Sequence, residues 1–198
     1  MNKKKEIAVS VVLLLVLLIG GMLAYFTDQD TATNVFTLGG NVDISLSESW
    51  TPADGLNLHP GAVVTKAPSI HNESSTTPAY VFAEIIVPCY ASTGSTADTA
   101  LFTFTANSGW ALINTPTVNT ANKTITYVYA YGSASAMTTL AANATTTTAV
   151  FSSVTLAPSL TDAQKATASS TPNIVVNAYG IQTDSLGVTA PADIFALF

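Results

Sequence analysis

Few side chains in this chain have the types and spacing that catalysis or metal binding requires. The chain has only two histidines, His59 and His71, and one cysteine, Cys89. A zinc peptidase of the zincin type carries two histidines on one helix in the pattern HExxH, and that pattern is absent. The nucleophile pattern GxSxG is absent as well. We therefore predict no catalytic residue, no metal ligand and no cofactor, and expect that the protein is not an enzyme.

Cys89 and Glu84 could also carry chemistry, but their positions predict structural roles. Both fall within residues 79–90, a strongly apolar stretch. A cysteine in such a stretch packs as a small hydrophobic residue, and a lone charge there needs an opposite partner. We expect a buried Cys89, and a salt bridge between Glu84 and Lys66 on the preceding predicted strand.

A ladder of tyrosines is the remaining candidate for ligand binding. Tyr127, Tyr129 and Tyr131 alternate with smaller side chains, so they line one face of a predicted strand. Such a row of rings could form a platform for a ligand, or it could pack against the core and the neighbouring strands. We predict the second arrangement.

The elements that must position these residues are strands, because the dominant hydrophobic periodicity is two. Val42, Ile44 and Leu46 alternate with polar residues, which predicts a half-buried strand. Residues 79–90 are apolar on both faces, which predicts a central strand buried on both sides. Short strands separated by Pro, Gly and Asn are typical of sandwiches. We predict an all-β fold: an antiparallel jelly-roll-like β-sandwich with one or two short helices, one at residues 161–168, and an N-terminal signal helix.

Composition and charge exclude further functions. The chain has 198 residues, a formal net charge of −6 and a charged fraction of only 9%. Its six basic residues are all lysines. Nucleic acid binding requires basic patches that neutralise phosphates, so we expect no nucleic acid partner for this acidic chain. A single cysteine excludes an internal disulfide and a multi-cysteine zinc site.

The N-terminus has the features of an export signal. Lysines at positions 3–5 precede an apolar run at residues 7–23, and the small residue Ala24 follows that run. A helix of this run is about 25 Å long, shorter than the bilayer core of about 30 Å. We predict a signal peptide at residues 1–24, cleaved between Ala24 and Tyr25, and leave open an uncleaved membrane anchor. The mature chain then has an N-terminal arm at residues 25–40 and a β-sandwich domain at residues 41–198.

Short motifs in a fixed order along the chain give a family resemblance. They are GGMLAYFTD at 20–28, NVFTLG at 34–39, VDISL at 42–46, LHPG at 58–61, AYVF at 79–82 and AYGIQ at 178–182. Together they resemble the TasA/camelysin family of secreted Gram-positive proteins. The first motif resembles the end of a signal peptide processed by the specialised signal peptidase SipW.

The resemblance implies a jelly-roll-like β-sandwich and, for filament-forming members, fibres of the biofilm matrix. In those fibres the N-terminal segment of one subunit inserts as a strand into the next. Carried over to this chain, the donor strand starts at Tyr25, and its anchors are Phe26, Val35, Phe36 and Leu38. The family has also been classed as metallopeptidases, an activity that we do not carry over because the sequence supplies no metal motif.

We therefore expect a secreted structural subunit of an extracellular fibre or biofilm matrix. Its partners are copies of itself in a filament and a SipW-type signal peptidase during export, and it meets the membrane only through the uncleaved signal peptide. Two alternatives stay open, a monomeric surface accessory or binding module and a camelysin-like metallopeptidase. The sequence pattern also leaves open whether the arm folds back onto its own sheet.

Overall fold

The structure is a computed structural model that describes residues 27–30, 42–91, 98–168 and 172–198. The predicted signal peptide at residues 1–24 lies outside the described residues. So do its cleavage site at Ala24 and Tyr25 and the predicted anchors Phe26, Val35, Phe36 and Leu38.

The described part of the chain is built from strands, as the sequence predicts. Its strands are β1 (Thr27–Asp30), β2 (Ile44–Ser49), β3 (Val63–Thr65), β4 (Ala67–Asn72), β5 (Ala79–Ala91), β6 (Asp98–Ala100), β7 (Phe102–Thr103), β8 (Trp110–Leu112), β9 (Thr117–Asn119), β10 (Thr124–Tyr131), β11 (Ser153–Leu156) and β12 (Val175–Gln182).

The larger sheet has the order β1-β12-β5-β10-β8, with β6 pairing β5 and β9 pairing β10, and its pairs are antiparallel. The central strand β5 has β12 on one side and β10 on the other. Its residues Val81, Ala83 and Ile85 are fully buried on one face, and Phe82 is fully buried on the other. The prediction of a central strand buried on both sides is confirmed.

The second layer consists of the sheet β3-β11-β7 and the pair β2-β4. Backbone hydrogen bonds join the two parts, because β4 also pairs with residues 144–150. The Thr146 amide donates to the Ile70 carbonyl at 2.9 Å, and the Val150 amide donates to the Pro68 carbonyl at 2.8 Å. This layer covers one face of the larger sheet, and the main hydrophobic core lies between the two. The all-β sandwich is therefore confirmed.

Three short helices complete the described residues: a 3₁₀ helix at Pro52–Gly55, α1 at Asp162–Lys165 and α2 at Pro191–Phe195. Helix α1 is the predicted one, and Thr161 and Gln164 form a capping box at its start. Helix α2 was not predicted. It packs on the outer face of the larger sheet, where Phe195 contacts Phe82 and Tyr179. No helix among the described residues is long and apolar enough to cross a membrane.

Candidate functional site

The edge of the larger sheet at β12 is the place where the N-terminal arm meets the sandwich. Strand β1 of the arm pairs antiparallel with β12, with Thr27 opposite Ile181 and Asp30 opposite Ala178. The ladder therefore covers residues 178–181 of β12. Residues 175–177 have no further strand partner on that side within the described ranges. In this single chain residues 27–30 of the arm pair with the edge of their own sheet, which is the monomeric arrangement that the sequence left open.

The residues that follow the arm also contact strand β12. Val42 and Ile44 are each only 3% exposed, and both pack against Gly180. Since a side chain at position 180 would occupy the space of these two residues, the glycine allows β2 to approach β12 closely. Residues 27–30, which precede the segment 31–41, therefore pair with β12. Val42 and Ile44, which follow that segment, pack against the same strand.

Glu84 lies on the opposite face of the larger sheet and does not contact Lys66. Its carboxylate accepts hydrogen bonds from the side-chain amide of Asn177 at 2.8 Å and from the Tyr179 hydroxyl at 3.0 Å. Lys66 instead forms a salt bridge with Glu48 at 2.6 Å. The predicted pairing is wrong because Glu84 shares the face of Phe82, whereas Lys66 belongs to the second layer, which covers the other face of β5.

The two histidines are not brought together. His59 is exposed in a turn in which the Ala62 amide donates to the His59 carbonyl at 2.9 Å. The His71 Nδ1 atom lies 2.9 Å from the Thr145 hydroxyl, and its Nε2 atom lies 3.6 Å from the Glu73 carboxylate. Neither contact forms a metal centre. Within the described ranges, no three His, Cys, Asp or Glu side chains cluster as metal ligands.

Cys89 is fully buried beside two charged residues. Desolvation by burial, with a smaller contribution from Asp98, raises the pKa of the Cys89 thiol from 9.0 to about 11. Asp98 lies 3.6 Å from the Lys123 ammonium group. The thiol is therefore protonated at neutral pH and unreactive, and the prediction of a packed, buried cysteine is confirmed.

The tyrosine ladder packs into the sandwich as predicted. The ring centroid of Phe104 lies 5.6 Å from that of Tyr127 and 6.0 Å from that of Tyr129. The ring centroid of Tyr131 lies 5.3 Å from that of Trp110. Burial raises the pKa of the Tyr127 and Tyr129 hydroxyls. These rings are part of the packing of β10 against the second layer.

A cavity of about 450 Å³ was not found from the sequence. Its walls come from β2, β3, β7, β11 and the segment before β12, and they include the ion pair of Lys66 and Glu48 together with Trp50. These segments are far apart in sequence, so no local motif signals the cavity. The one hint in the sequence is Trp50, which follows Glu48 by two residues at the polar end of β2.

The comparisons with known proteins give one family. The model of the camelysin metallo-endopeptidase family matches residues 1–85. No curated protein and no solved structure matches the chain. The matched part contains the arm, β2, β3, β4 and the first half of β5.

The family description corrects the prediction that the protein is not an enzyme. A family of metallo-endopeptidases points to peptidase activity, so that prediction is wrong. It rested on the absence of HExxH, which identifies only one class of metallopeptidase. Ligands supplied by separate strands leave no fixed spacing in the sequence. The described residues nevertheless do not fit a metal centre of three or more ligands.

The resemblance that the ordered motifs predicted is confirmed by this match, in which residues 1–85 are similar to the TasA/camelysin family.

Proposed function

We propose that the protein is a secreted structural subunit of an extracellular fibre or biofilm matrix, and that its copies assemble by exchanging the N-terminal strand. The observation that supports this proposal is the pairing of β1 with the edge strand β12. In the fibre, the same β12 edge accepts residues 25–40 of the neighbouring subunit, with Phe26, Val35, Phe36 and Leu38 as anchors.

Strand exchange conserves the contacts of the closed monomer. A bare β12 edge would expose unpaired backbone amide and carbonyl groups, and a strand from the same chain or from a neighbour satisfies them equally. The balance between the two forms is then set by protein concentration against the effective concentration of the chain's own arm. Because each copy donates to one neighbour and accepts from another, the contact is head-to-tail and propagates.

A reversible lock on the arm tests this proposal. Asp30 and Ala178 face each other in the ladder, and directly opposed residues lie within the range of Cα separations that a disulfide spans. We would introduce Asp30→Cys and Ala178→Cys in a Cys89→Ala background of the mature chain. Oxidation of dilute monomer should tie the arm to its own sheet and prevent filaments in electron microscopy and sedimentation. Reduction should restore them.

The matched control locks two strands of the sandwich body. Thr65 and Ser153 are opposed between β3 and β11, so Thr65→Cys with Ser153→Cys gives a disulfide that leaves the arm untouched. This control should form filaments when oxidised. The proposal is wrong if the locked-arm variant polymerises as well as the control, or if the unmodified mature chain stays monodisperse at high concentration.

A second function is favoured by the family match, which is to a metallo-endopeptidase family. Its test is cleavage of casein by the mature chain, with a chelator and added Zn²⁺ as controls, together with metal analysis. The chain has two histidines, so a metal site that contains histidine must use His59 or His71. Chelator-sensitive cleavage that is lost in His59→Ala or His71→Ala would support a peptidase. No bound metal and no cleavage would eliminate it.

A further inference from the structure

The cavity beside Trp50 combines an aromatic ring, apolar walls and a partly buried ion pair. Leu58, Val64, Phe102 and Val154 contribute apolar surface. Its volume of about 450 Å³ lies in the range of small-molecule sites, about 300–1,000 Å³. Concave sites with apolar walls and a few convergent polar groups are the usual form of a ligand pocket.

The ring of Trp50 is held in place by two neighbours. A Cβ atom at position 55 would lie 2.7 Å from Trp50 Cη2, so the glycine lets the indole pack onto the 3₁₀ helix. The Lys66 ammonium group lies 5.6 Å from the ring centroid, within the distance of a cation–π contact. Trp50 is nevertheless 40% exposed, so part of this large apolar side chain remains in contact with water.

The polar part of the cavity contains both donors and acceptors. The Lys66 side chain is only 10% exposed and donates to one oxygen of Glu48, which leaves further N–H groups of the ammonium and the second carboxylate oxygen. Asn173 lines the same cavity and adds an amide with one acceptor and two N–H donors. These groups share the cavity with the indole of Trp50.

We propose that this cavity binds a sugar ring of a carbohydrate. A pyranose has a C–H face that packs on an aromatic ring, and hydroxyl groups on its edge that both donate and accept hydrogen bonds. The C–H face matches the ring of Trp50, and the hydroxyl groups match the polar groups of Lys66, Glu48 and Asn173.

The charges and walls of the cavity favour a sugar over two other ligand classes. Glu48 neutralises Lys66, so the pair offers no net positive charge to an anion. A purely apolar ligand would remove water from the ion pair and the amide without replacing its hydrogen bonds, which is costly. A neutral ligand rich in hydroxyl groups avoids both penalties. This inference does not depend on the proposed function, because the cavity does not include β1.

Trp50 itself is the reporter for the test. The chain has two tryptophans, so in a Trp110→Phe background Trp50 gives the whole tryptophan emission. We would titrate the mature chain with glucose, galactose, N-acetylglucosamine and their short oligomers at millimolar concentrations. Binding should change the emission in a saturable way, and the affinity should follow the identity of the sugar.

Two variants connect binding to the cavity. By nuclear magnetic resonance, Trp50→Ala in the natural background should weaken sugar binding by about tenfold, which corresponds to about 1.4 kcal/mol, because the sugar loses the ring on which its C–H face packs. Val118→Ala, a change at an exposed apolar residue on β9 that does not line the cavity, should leave binding unchanged. The proposal is overturned if no sugar in the panel binds, if indole binds and the sugars do not, or if Trp50→Ala binds as tightly as the control.

Discussion

Gly180 on β12 lies directly against Ile44 on β2, since a Cβ atom at position 180 would come within 2.8 Å of the Ile44 Cγ2 atom. This contact joins the edge of the larger sheet to the first strand after the arm. We expect Gly180→Ala to lower the free energy of unfolding by about 1–3 kcal/mol, because overpacking forces a buried neighbour to move. Urea denaturation of the mature chain measures the change.

A double-mutant cycle isolates this contact. Ile44→Ala removes the obstructing methyl groups, so the double variant should be less destabilised than the sum of the two single changes. If the stability change of the double variant equals the sum of the two single changes within error, the two residues do not contact each other.

The ion pair of Lys66 and Glu48 gives an asymmetric prediction. Lys66 is the more deeply buried partner, with 10% of its side chain exposed against 24% for Glu48. Glu48→Ala therefore leaves a buried cation without its partner, whereas Lys66→Met leaves a carboxylate that water can reach. We expect Glu48→Ala to cost about 2–4 kcal/mol of stability, and Lys66→Met to cost less.

Thermal and urea denaturation of the two variants at neutral pH check the order of these effects. The combined variant Glu48→Ala with Lys66→Met should be more stable than Glu48→Ala, because it removes the stranded charge. Equal losses in both single variants would show that burial of the charge does not decide the cost.

The raised pKa of Cys89 predicts a loss of stability at alkaline pH. The folded chain holds the thiol proton up to a pH of about 11, whereas the unfolded chain releases it near 9.0. This contribution is therefore fully present below pH 9, and it is lost as the pH rises towards 11. Tyr127 and Tyr129, whose pKa values are also raised, act in the same direction.

Cys89→Ala separates the thiol from the tyrosines. The variant should lose less stability between pH 9 and pH 11 than the natural chain in urea denaturation. In the native state at neutral pH, iodoacetamide should leave Cys89 unmodified, and it should modify the thiol in denaturant. Rapid labelling of the folded protein would contradict the burial of this residue.

Local pattern was enough to predict some elements and not others. The strand β5 and the ladder at Tyr127 were predictable because alternation of side chains along one strand fixes which of them are buried. The partner of Glu84 was not, because pairing across two layers depends on which face of β5 the side chain occupies. Helix α1 has a Thr161–Gln164 capping box at its start, whereas the five residues of α2 have no capping side chain, so α2 was missed.

The candidate sites show the same limit more strongly. The cavity at Trp50 is lined by segments from β2 to the start of β12, and no spacing in the sequence brings them together. The family resemblance pointed to the arm but not to β12, the strand with which residues 27–30 pair. The prediction that the protein is not an enzyme failed because the absence of one motif tests only one kind of site.

Removal of the arm gives the last prediction. Among the described residues, β1 contributes four residue pairs to the larger sheet, whereas β5 contributes eight pairs with β12 alone. The sandwich should therefore fold without residues 25–38, with a lower melting temperature and no filaments, because the β12 edge then lacks a donor. Circular dichroism and electron microscopy of this truncated chain check both results.

A peptide added in trans shows whether the β12 edge accepts a donor strand. Residues 25–41 as a free peptide should raise the melting temperature of the truncated chain in a concentration-dependent way, because a ligand of the folded state stabilises it by mass action. A scrambled peptide of the same composition is the control. If the natural and scrambled peptides have the same effect, the edge has no preference for the arm, and strand exchange through β12 does not hold the subunits together.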